Sequence, residues 1–487
     1  MYYGTRLVKL NYLIKNIAQD ESAFPSIDIN KICTNSKEVK NGSLFIAING
    51  LQNDGHDFIS EAIENGASAI ISNGRDIGKL SVPNIKVSNT RIAASRIAAE
   101  YFNHPSKKLN VIGITGTNGK TTTASLIFSI LKAAKLNVAQ IGTLGVIAKG
   151  FEKQKTLTTP DPITLHKIFN DLVDRNFSHV VMEVSSHALD QFRVADVDFN
   201  IAVFTNLSEE HLDYHQNFEE YFKAKSKLFR LMPITGTSII NIDDKYGNKM
   251  CRESPAPVLN ISKNNESDIF FEKLDCTLAG VKGTIKAGSE FVSFDSKLIG
   301  EFNAENILAA ASIGIALNID SRIIQKGIEE KKFIEGRMEI FRTKDNKNIV
   351  IDYAHTPDAY LKVLTTLKEM VSEKNSIHIL FGCGGNRDKI KRPEMGKIAE
   401  EFSEKLWITS DNPRYENIKN INSDITKEMV RNNFEIINDR GIALSKAINE
   451  INNGDLLLVL GKGRENFQDI EGKKFPYSDV EIIESYL

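Results

Sequence analysis

The chain has 487 residues, enough for about three domains at roughly 150 residues each, so a single core is excluded. Hydrophobic residues make up 41% and charged residues 25%, an ordinary globular mix that excludes a mainly disordered or fibrous chain. With 61 Lys plus Arg against 63 Asp plus Glu the net charge is −2, which excludes a global footprint for nucleic acid or an anionic membrane and makes any basic site local.

The first segment, MYYGTRLVKLNYLIKN, is broken by Lys9, Asn11 and Lys15 and does not read as a signal peptide. No run approaches the roughly 20 apolar residues of a membrane helix, so no membrane insertion is expected. Cys33, Cys251, Cys276 and Cys383 form neither a CxxC pair nor metal-ligand spacing with histidine, which favours a reducing, cytoplasmic setting.

Up to about residue 102 short apolar runs alternate with helical patterns. SLFIAI precedes FISEAIENGASAIISN, and VPNIKV precedes a helix through Ala93 to Tyr101, which predicts a small α/β unit. NHPSKKLN, residues 103–110, marks a boundary. From Val111 the runs VIGIT, HVVMEVSS, IAVFTNLS and SIINIDD recur between helix-length segments, the pattern of a parallel sheet covered on both faces. GTIKAGSEFVSFDS alternates around Gly288 and predicts an antiparallel hairpin. FNAENILAAASIGIAL reads as an Ala-rich helix, and a second boundary falls near Phe333 to Arg337. Beyond it NIVIDYAHT, SIHILFGCGGNR, KLWITSDNPR and DLLLVLGKGRE each end in a polar loop at the carboxyl end of a strand, where open α/β sheets bind ligands.

The strand VIGIT runs into GTNGKTTT and then an apolar-periodic helix. Glycines let the backbone wrap a phosphate, the helix N-terminus offers N–H groups, Lys120 reaches a terminal phosphate and Thr121 suits magnesium. The strict spacing of such loops puts a glycine at Ile114, so the match is to a shorter GxxGKT form. Glu183 follows three apolar strand residues and should emerge beside that loop, as a solvated strand end or as a metal ligand. Asn206 and His211 follow the next strand. Lys225 lies within a helical stripe of Phe218, Tyr221, Phe222, Leu228, Phe229 and Met232. Local spacing favours snorkelling to water over a buried or chemically neutralised amine.

GTNGKTTT, TTPD, MEVSSHALDQFRV, NLSEEHLDYH, YFKAKSKLF, FNAENILAA, GRME and DYAHTPDA occur in the order and roughly the spacing of the Mur ligase family, which the chain resembles over nearly its whole length. The resemblance implies three α/β domains. These are a small N-terminal UDP-sugar domain at residues 1–107, a central P-loop-type, mostly parallel-sheet ATPase domain at 108–334, and a C-terminal Rossmann-like amino-acid domain at 335–487. It implies an ATP-dependent ligase of peptidoglycan synthesis working through an acyl phosphate. Gly116, Thr117, Asn118, Gly119, Lys120, Thr121, Thr122, Asn303, Arg337 and Asp352 would bind ATP, with closure of the third domain completing the site. Thr121, Glu183, His211 and Lys225 would serve Mg2+, Lys225 as N6-carboxylysine, and Lys120, Glu183, His211 and Lys225 would form the catalytic set.

By the same resemblance UDP-MurNAc-L-Ala-D-Glu would meet Thr34, Ser36, Leu51, Gln52, Asn53, Thr158, Thr159, Ser185, Gln191 and Arg193. Where many relatives carry Asp-Ser-Arg, this chain has Asn35, Ser36 and Lys37. DNPR resembles the motif of the diaminopimelate-adding branch. Arg387 and Arg414 would pair the carboxylates of meso-diaminopimelate, Glu465 an ammonium, with Asn412, Pro413 and Gly461 beside them. Relatives commonly read GKGHED, whereas this chain has Arg464 and Asn466, a surface change or an altered distal pocket. Alternatives are a lysine- or other diamino-acid-adding counterpart, a folylpolyglutamate synthetase, and a non-catalytic ATP-binding relative.

Overall fold

The structure, a computed structural model, describes residues 6–18, 23–50, 53–152, 156–208, 212–263, 267–277 and 279–487. The chain divides into two compact units: Met1–Ile269 with Ala309–Asp320, and Phe270–Leu308 with Ser321–Leu487.

The first unit holds two larger sheets beside a short antiparallel pairing of Val8–Lys9 with Asp28–Ile29. Strands β1 (Lys31–Cys33), β2 (Ser43–Ile46), β3 (Ala67–Ser72) and β4 (Asn84–Lys86) pair in that order, all parallel. Apolar clusters lie on both faces, one built on helix α1 (Thr90–Tyr101), the other on Phe45, Ile59 and Ala62.

The larger sheet contains β5 (Asn110–Thr115), β6 (Val138–Gly142), β7 (Gly145–Ile147), β8 (His179–Glu183), β9 (Ile201–Phe204), β10 (Thr237–Asn241) and β11 (Val258–Ser262). Their spatial order is β11-β10-β9-β5-β8-β6-β7, parallel except for the β6–β7 turn. Residues such as Val111, Val180, Met182, Ala202 and Phe204 are fully buried, which is why these strands read as continuous apolar runs. The first strand of the unit's nucleotide loop, β5, therefore sits between β8 and β9, where the chain winds away in both directions and opens a crevice at the strand ends.

Helices begin where their caps dictate. Asp161 accepts from the N–H groups of Ile163 and Thr164 ahead of Pro162, starting α2 (Pro162–Asp174). Asn217 accepts from Glu220 N–H and starts α3 (Phe218–Arg230), whose apolar stripe packs into the sheet's core.

In the second unit, Gly280–Ala287 and Glu290–Ser296 form an antiparallel hairpin, with Gly288 in the left-handed region at φ +59°. Next come β12 (Glu339–Arg342), β13 (Asn348–Asp352), β14 (Ile377–Phe381), β15 (Lys405–Ile408), β16 (Phe434–Ile436) and β17 (Leu456–Leu460). The order is β12-β13-β17-β14-β15-β16, with only β12 antiparallel. Apolar clusters cover both faces of this sheet too. The four polar loops after β13, β14, β15 and β17 all leave the sheet at its carboxyl edge, as the sequence predicts.

Candidate active site

In the first unit the loop between β5 and the helix Lys120–Ala133 is held from the neighbouring strand end. Thr117 and Asn118 donate their N–H groups to the Asn206 backbone and side-chain oxygens, both at 2.9 Å, and Thr205 Oγ1 donates to Asn118 O at 2.7 Å. A Cβ on Gly116 would lie 1.9 Å from Thr205 Oγ1, so only glycine allows this approach. Gly119 caps the helix at φ +86°. The first turn of that helix has N–H groups with no intrahelical acceptor, the donors an anion requires. Lys120 Nζ donates to Gly116 O and Thr117 O, each at 2.8 Å, and so lies over the loop it is expected to serve.

Glu183 is fully buried, not a solvated strand end. Thr121 Oγ1 donates to Glu183 Oε2 at 2.9 Å, Thr143 N–H to Oε1 at 2.9 Å, and Thr143 Oγ1 to Oε2 at 3.1 Å. A Cβ on Gly142 would stand 2.1 Å from Oε1. Gly142 and Thr143 were not singled out from the sequence; the signal present there was a glycine at a buried strand's carboxyl end.

Lys225 corrects the snorkelling expectation. Its side chain is 1% exposed, Nζ donates to Gly116 O at 2.7 Å, and Nζ lies 4.5 Å from the Tyr221 ring centre. Helix α3 points this residue back under the phosphate loop, because its stripe faces the sheet end rather than water. His211 lies outside the described residues, as do Leu51 and Gln52. Among the described residues no group of three or more His, Cys, Asp or Glu is placed to hold a metal. The donors brought together are the Thr121 hydroxyl and the Glu183 carboxylate, hard oxygens of the kind Mg2+ takes.

Glu183's strand also organises the predicted dipeptide residues. Thr159 Oγ1 donates to Glu183 O at 2.9 Å and accepts from Ser185 N–H at 3.0 Å. Arg193 donates to Thr159 O and to Gln191 Oε1, both at 2.8 Å, and Thr158 Oγ1 lies 3.3 Å from Thr143 Oγ1. Gln191 Nε2 reaches the Tyr214 hydroxyl at 3.2 Å. Thr159, Ser185, Arg193 and Gln191 thus form one network on the Glu183 main-chain carbonyl, and Thr158 reaches the Glu183 carboxylate through Thr143. Ser36 is buried and donates to Glu61 at 2.7 Å, Thr34 is half-buried and Asn53 exposed.

In the second unit Asn303 is buried, its amide donating to Ile299 O at 2.8 Å. Asp352 accepts from the N–H groups of Met338 and Ala354 at 2.8 and 2.7 Å; burial pushes its carboxyl up, opposed by the Arg337 charge. The Arg337 guanidinium lies 5.1 Å from the Tyr353 ring centre.

The amino-acid loops interlock. Gly385 N–H donates to Asn412 O at 2.9 Å, and a Cβ there would be 1.9 Å from Pro413 O. Asn412 Nδ2 donates to Glu465 Oε2 at 2.9 Å. Arg414 donates to Gly385 O at 2.7 Å, with its Nε 3.9 Å from Asp469. Gly461 takes φ +100° with its Cβ position 2.8 Å from Asp411 Oδ2. Arg387 is exposed. Glu465 already has a protein cation: Lys462, 1% exposed, donates to its Oε2 at 2.9 Å and to Asn412 Oδ1 at 3.1 Å. Lys462 escaped the sequence reading, as did Arg392. The Arg392 guanidinium is fully buried, donates to Glu416, Asp424 and Gly384 O, and so props the loop after β14. Arg464 is exposed, as the surface reading has it, but its guanidinium pairs with Glu339 rather than joining the cluster with Glu465.

Three family profiles match consecutive segments: "Mur ligase family, catalytic domain" at residues 28–102, "Mur ligase middle domain" at 114–314, and "Mur ligase, glutamate ligase domain" at 336–463. The chain is 41% identical over 461 residues to a UDP-N-acetylmuramoyl-L-alanyl-D-glutamate--2,6-diaminopimelate ligase of Aquifex aeolicus, covering 94% of this chain and 93% of that one. A solved structure of a ligase of that name superposes with TM-score 0.69 at 30% identity, over 94% of each chain. A Mycobacterium tuberculosis folylpolyglutamate synthase, solved with ADP and AMPPCP, shares the fold at TM-score 0.62 and 16% identity, over 76% of this chain and 92% of that one. A glycine-shaped loop at a helix N-terminus, a buried carboxylate beside it, and profile matches running through both units lead to one assignment: the chain belongs to the Mur ligase family.

Proposed function

We propose that this protein is the ATP-dependent ligase that joins meso-2,6-diaminopimelate to the D-glutamate side-chain carboxylate of UDP-MurNAc-L-Ala-D-Glu. The observation that carries this reading is the 41% identity, over 94% of the chain, to a ligase of that name, together with the interlocked Asn412, Arg414 and Glu465 in the second unit. In the reaction the substrate carboxylate attacks the γ-phosphorus of ATP, ADP leaves, and an acyl phosphate remains. The ammonium loses a proton, the free amine attacks the acyl carbon, and the tetrahedral intermediate loses a second proton from nitrogen and expels phosphate to leave the amide. All of the first reactants are anionic, so the protein's work is positioning and charge stabilisation.

On this reading residues 1–107 serve the nucleotide sugar, 108–334 ATP, and 335–487 the amino acid. Lys120 and the backbone of Gly116 to Thr122 hold the phosphates, and Asn303, Arg337 and Asp352 are the nucleotide residues of the second unit. Thr121, Glu183, His211 and a carbamylated Lys225 would hold Mg2+, which would offset phosphate charge. Carbamylation needs CO2 and an amine that has given up its proton and its bond to Gly116 O. Thr159, Ser185, Gln191 and Arg193 orient the dipeptide through the network that ends on Glu183. Arg387 and Arg414 recognise the carboxylates of the diamino acid, and Glu465 an ammonium. The setting is cytoplasmic; among the described residues no helix is long and apolar enough to cross a membrane.

The test is ATP-dependent phosphate release with UDP-MurNAc-L-Ala-D-Glu and, in turn, meso-diaminopimelate, L-lysine and lanthionine. Release confined to meso-diaminopimelate is expected. Preference for lysine overturns the pocket assignment, and silence with all three overturns the ligase reading.

A further inference from the structure

The Arg464 guanidinium forms a two-point pair with Glu339: Nε to Oε2 at 2.8 Å and Nη2 to Oε1 at 2.5 Å. The Glu339 side chain is 4% exposed. A planar fork on a buried carboxylate fixes both partners in orientation, which a point charge does not.

Arg464 lies on the loop after β17, which bears Glu465, and Glu339 opens β12 directly after the turn that bears Arg337. Glu339 Oε2 also accepts from Gly336 N–H at 3.3 Å, and Gly336, at φ +67°, belongs to the turn that carries Arg337. That turn is closed by Arg337 N–H on Ile334 O at 3.0 Å and tied to β13 by Tyr353 N–H on Gly336 O at 2.9 Å. It also touches the loop after β17: a Cβ on Gly336 would lie 3.0 Å from Gly463 Cα and 3.1 Å from Arg464 N. Arg464 is followed at once by Glu465, whose carboxylate is held by Lys462 and Asn412. Glu465 is thus gripped by Lys462 on its own loop, while its neighbour Arg464 grips the Arg337 turn.

We propose that the Arg464–Glu339 pair is a positioning device that sets the Arg337 turn and the Glu465 loop as one piece, so that nucleotide and diamino acid each bind better to a second unit in which the pair is intact. The inference rests on the assignment of Arg337 to nucleotide and Glu465 to the amine. Neither Arg464 nor Glu339 touches substrate in it. Loss of the fork leaves a buried carboxylate without its cation and lets the two loops move independently.

The test uses the full chain and the variants Arg464→Gln, Glu339→Gln, the double variant and Arg464→Lys. Three quantities are read: the KM for meso-diaminopimelate, the dissociation constant for ADP by calorimetric titration, and the KM for UDP-MurNAc-L-Ala-D-Glu. Arg464→Gln and Glu339→Gln should each raise the first two by about fivefold or more, the lower end of typical coupling between sites, and leave the third unchanged. The double variant should be no worse than either single one, because both remove the same contact. Arg464→Lys should recover part of the loss. A merely structural pair would lower kcat through the active fraction and leave every KM and the ADP affinity in place, and that result overturns the proposal, as does a shift in only one of the two ligands. If the wild-type chain is silent with meso-diaminopimelate, the substrate reading fails on its own, and the ADP titration still decides the pair: unchanged affinity in Arg464→Gln overturns it.

Discussion

Gly142 shows how a residue without a side chain governs the chemistry of one that has it. Its missing Cβ is the space that Glu183 Oε1 occupies, and Thr143 N–H fixes that oxygen. Gly142→Ala should push the carboxylate away from Thr121 by more than an ångström and lower kcat by about 100-fold, the usual scale for such misplacement, in a steady-state phosphate-release assay. Lys225 carries a second residue-scale prediction. Its amine is enclosed by Gly116 O and the Tyr221 ring, so a carbamate formed there is shielded from bulk water. Protein equilibrated with 13C-bicarbonate should give a carbamate carbon resonance that Lys225→Arg lacks.

At the scale of one element, helix α2 buries His166 with both ring nitrogens unpartnered among the described residues, edge-on to Phe169. Burial, with a smaller contribution from His104, pushes its pKa from 6.5 down to about 3. The unfolded chain therefore binds a proton below pH 6.5 that the folded one refuses until about pH 3. Stability contributed by the neutral ring is complete above pH 6.5 and falls as pH drops through that window, by up to about 1.4 kcal/mol per pH unit. His166→Phe should flatten the dependence of unfolding free energy on pH between pH 6 and pH 4 by about one proton, measured by urea titration. The start of that helix rests on a local signal that the sequence analysis did not single out, Asp161 as cap before Pro162.

For the whole molecule, a net charge of only −2 leaves anion recognition to local cations, and on the proposed reading Arg414 is the clearest of them. Held in the left-handed region at φ +52° and donating to Gly385 O, it presents its remaining N–H groups from a fixed fork. Arg414→Lys keeps the charge and loses the fork, and should lower kcat/KM for meso-diaminopimelate by about 30-fold or more, on the order of 2 kcal/mol, while narrowing its advantage over L-lysine. Competition between the two amines in one assay checks both. A ligase of this mechanism also releases phosphate only when its carboxylate substrate is present, so omission of UDP-MurNAc-L-Ala-D-Glu should abolish release.

What could be read from sequence alone was whatever is written within a short window. The phosphate loop is contiguous from Gly116 to Thr122, the buried parallel strands are unbroken apolar runs, and the hairpin announces itself at Gly288. Glu183 was placed beside the loop because it ends such a run. The tertiary structure alone decided the partners. Thr143 meets Glu183 40 residues on, Lys462 meets Asn412 50 residues back, and Arg464 meets Glu339 across 125 residues. Separations of this kind follow from strand order and register, which no local periodicity encodes. Lys225 shows the same limit: helical spacing marked its stripe, but whether that stripe faced water or the underside of the phosphate loop depended on where α3 packs. Local backbone preference specified the elements, and the sheet order chose which charges would meet.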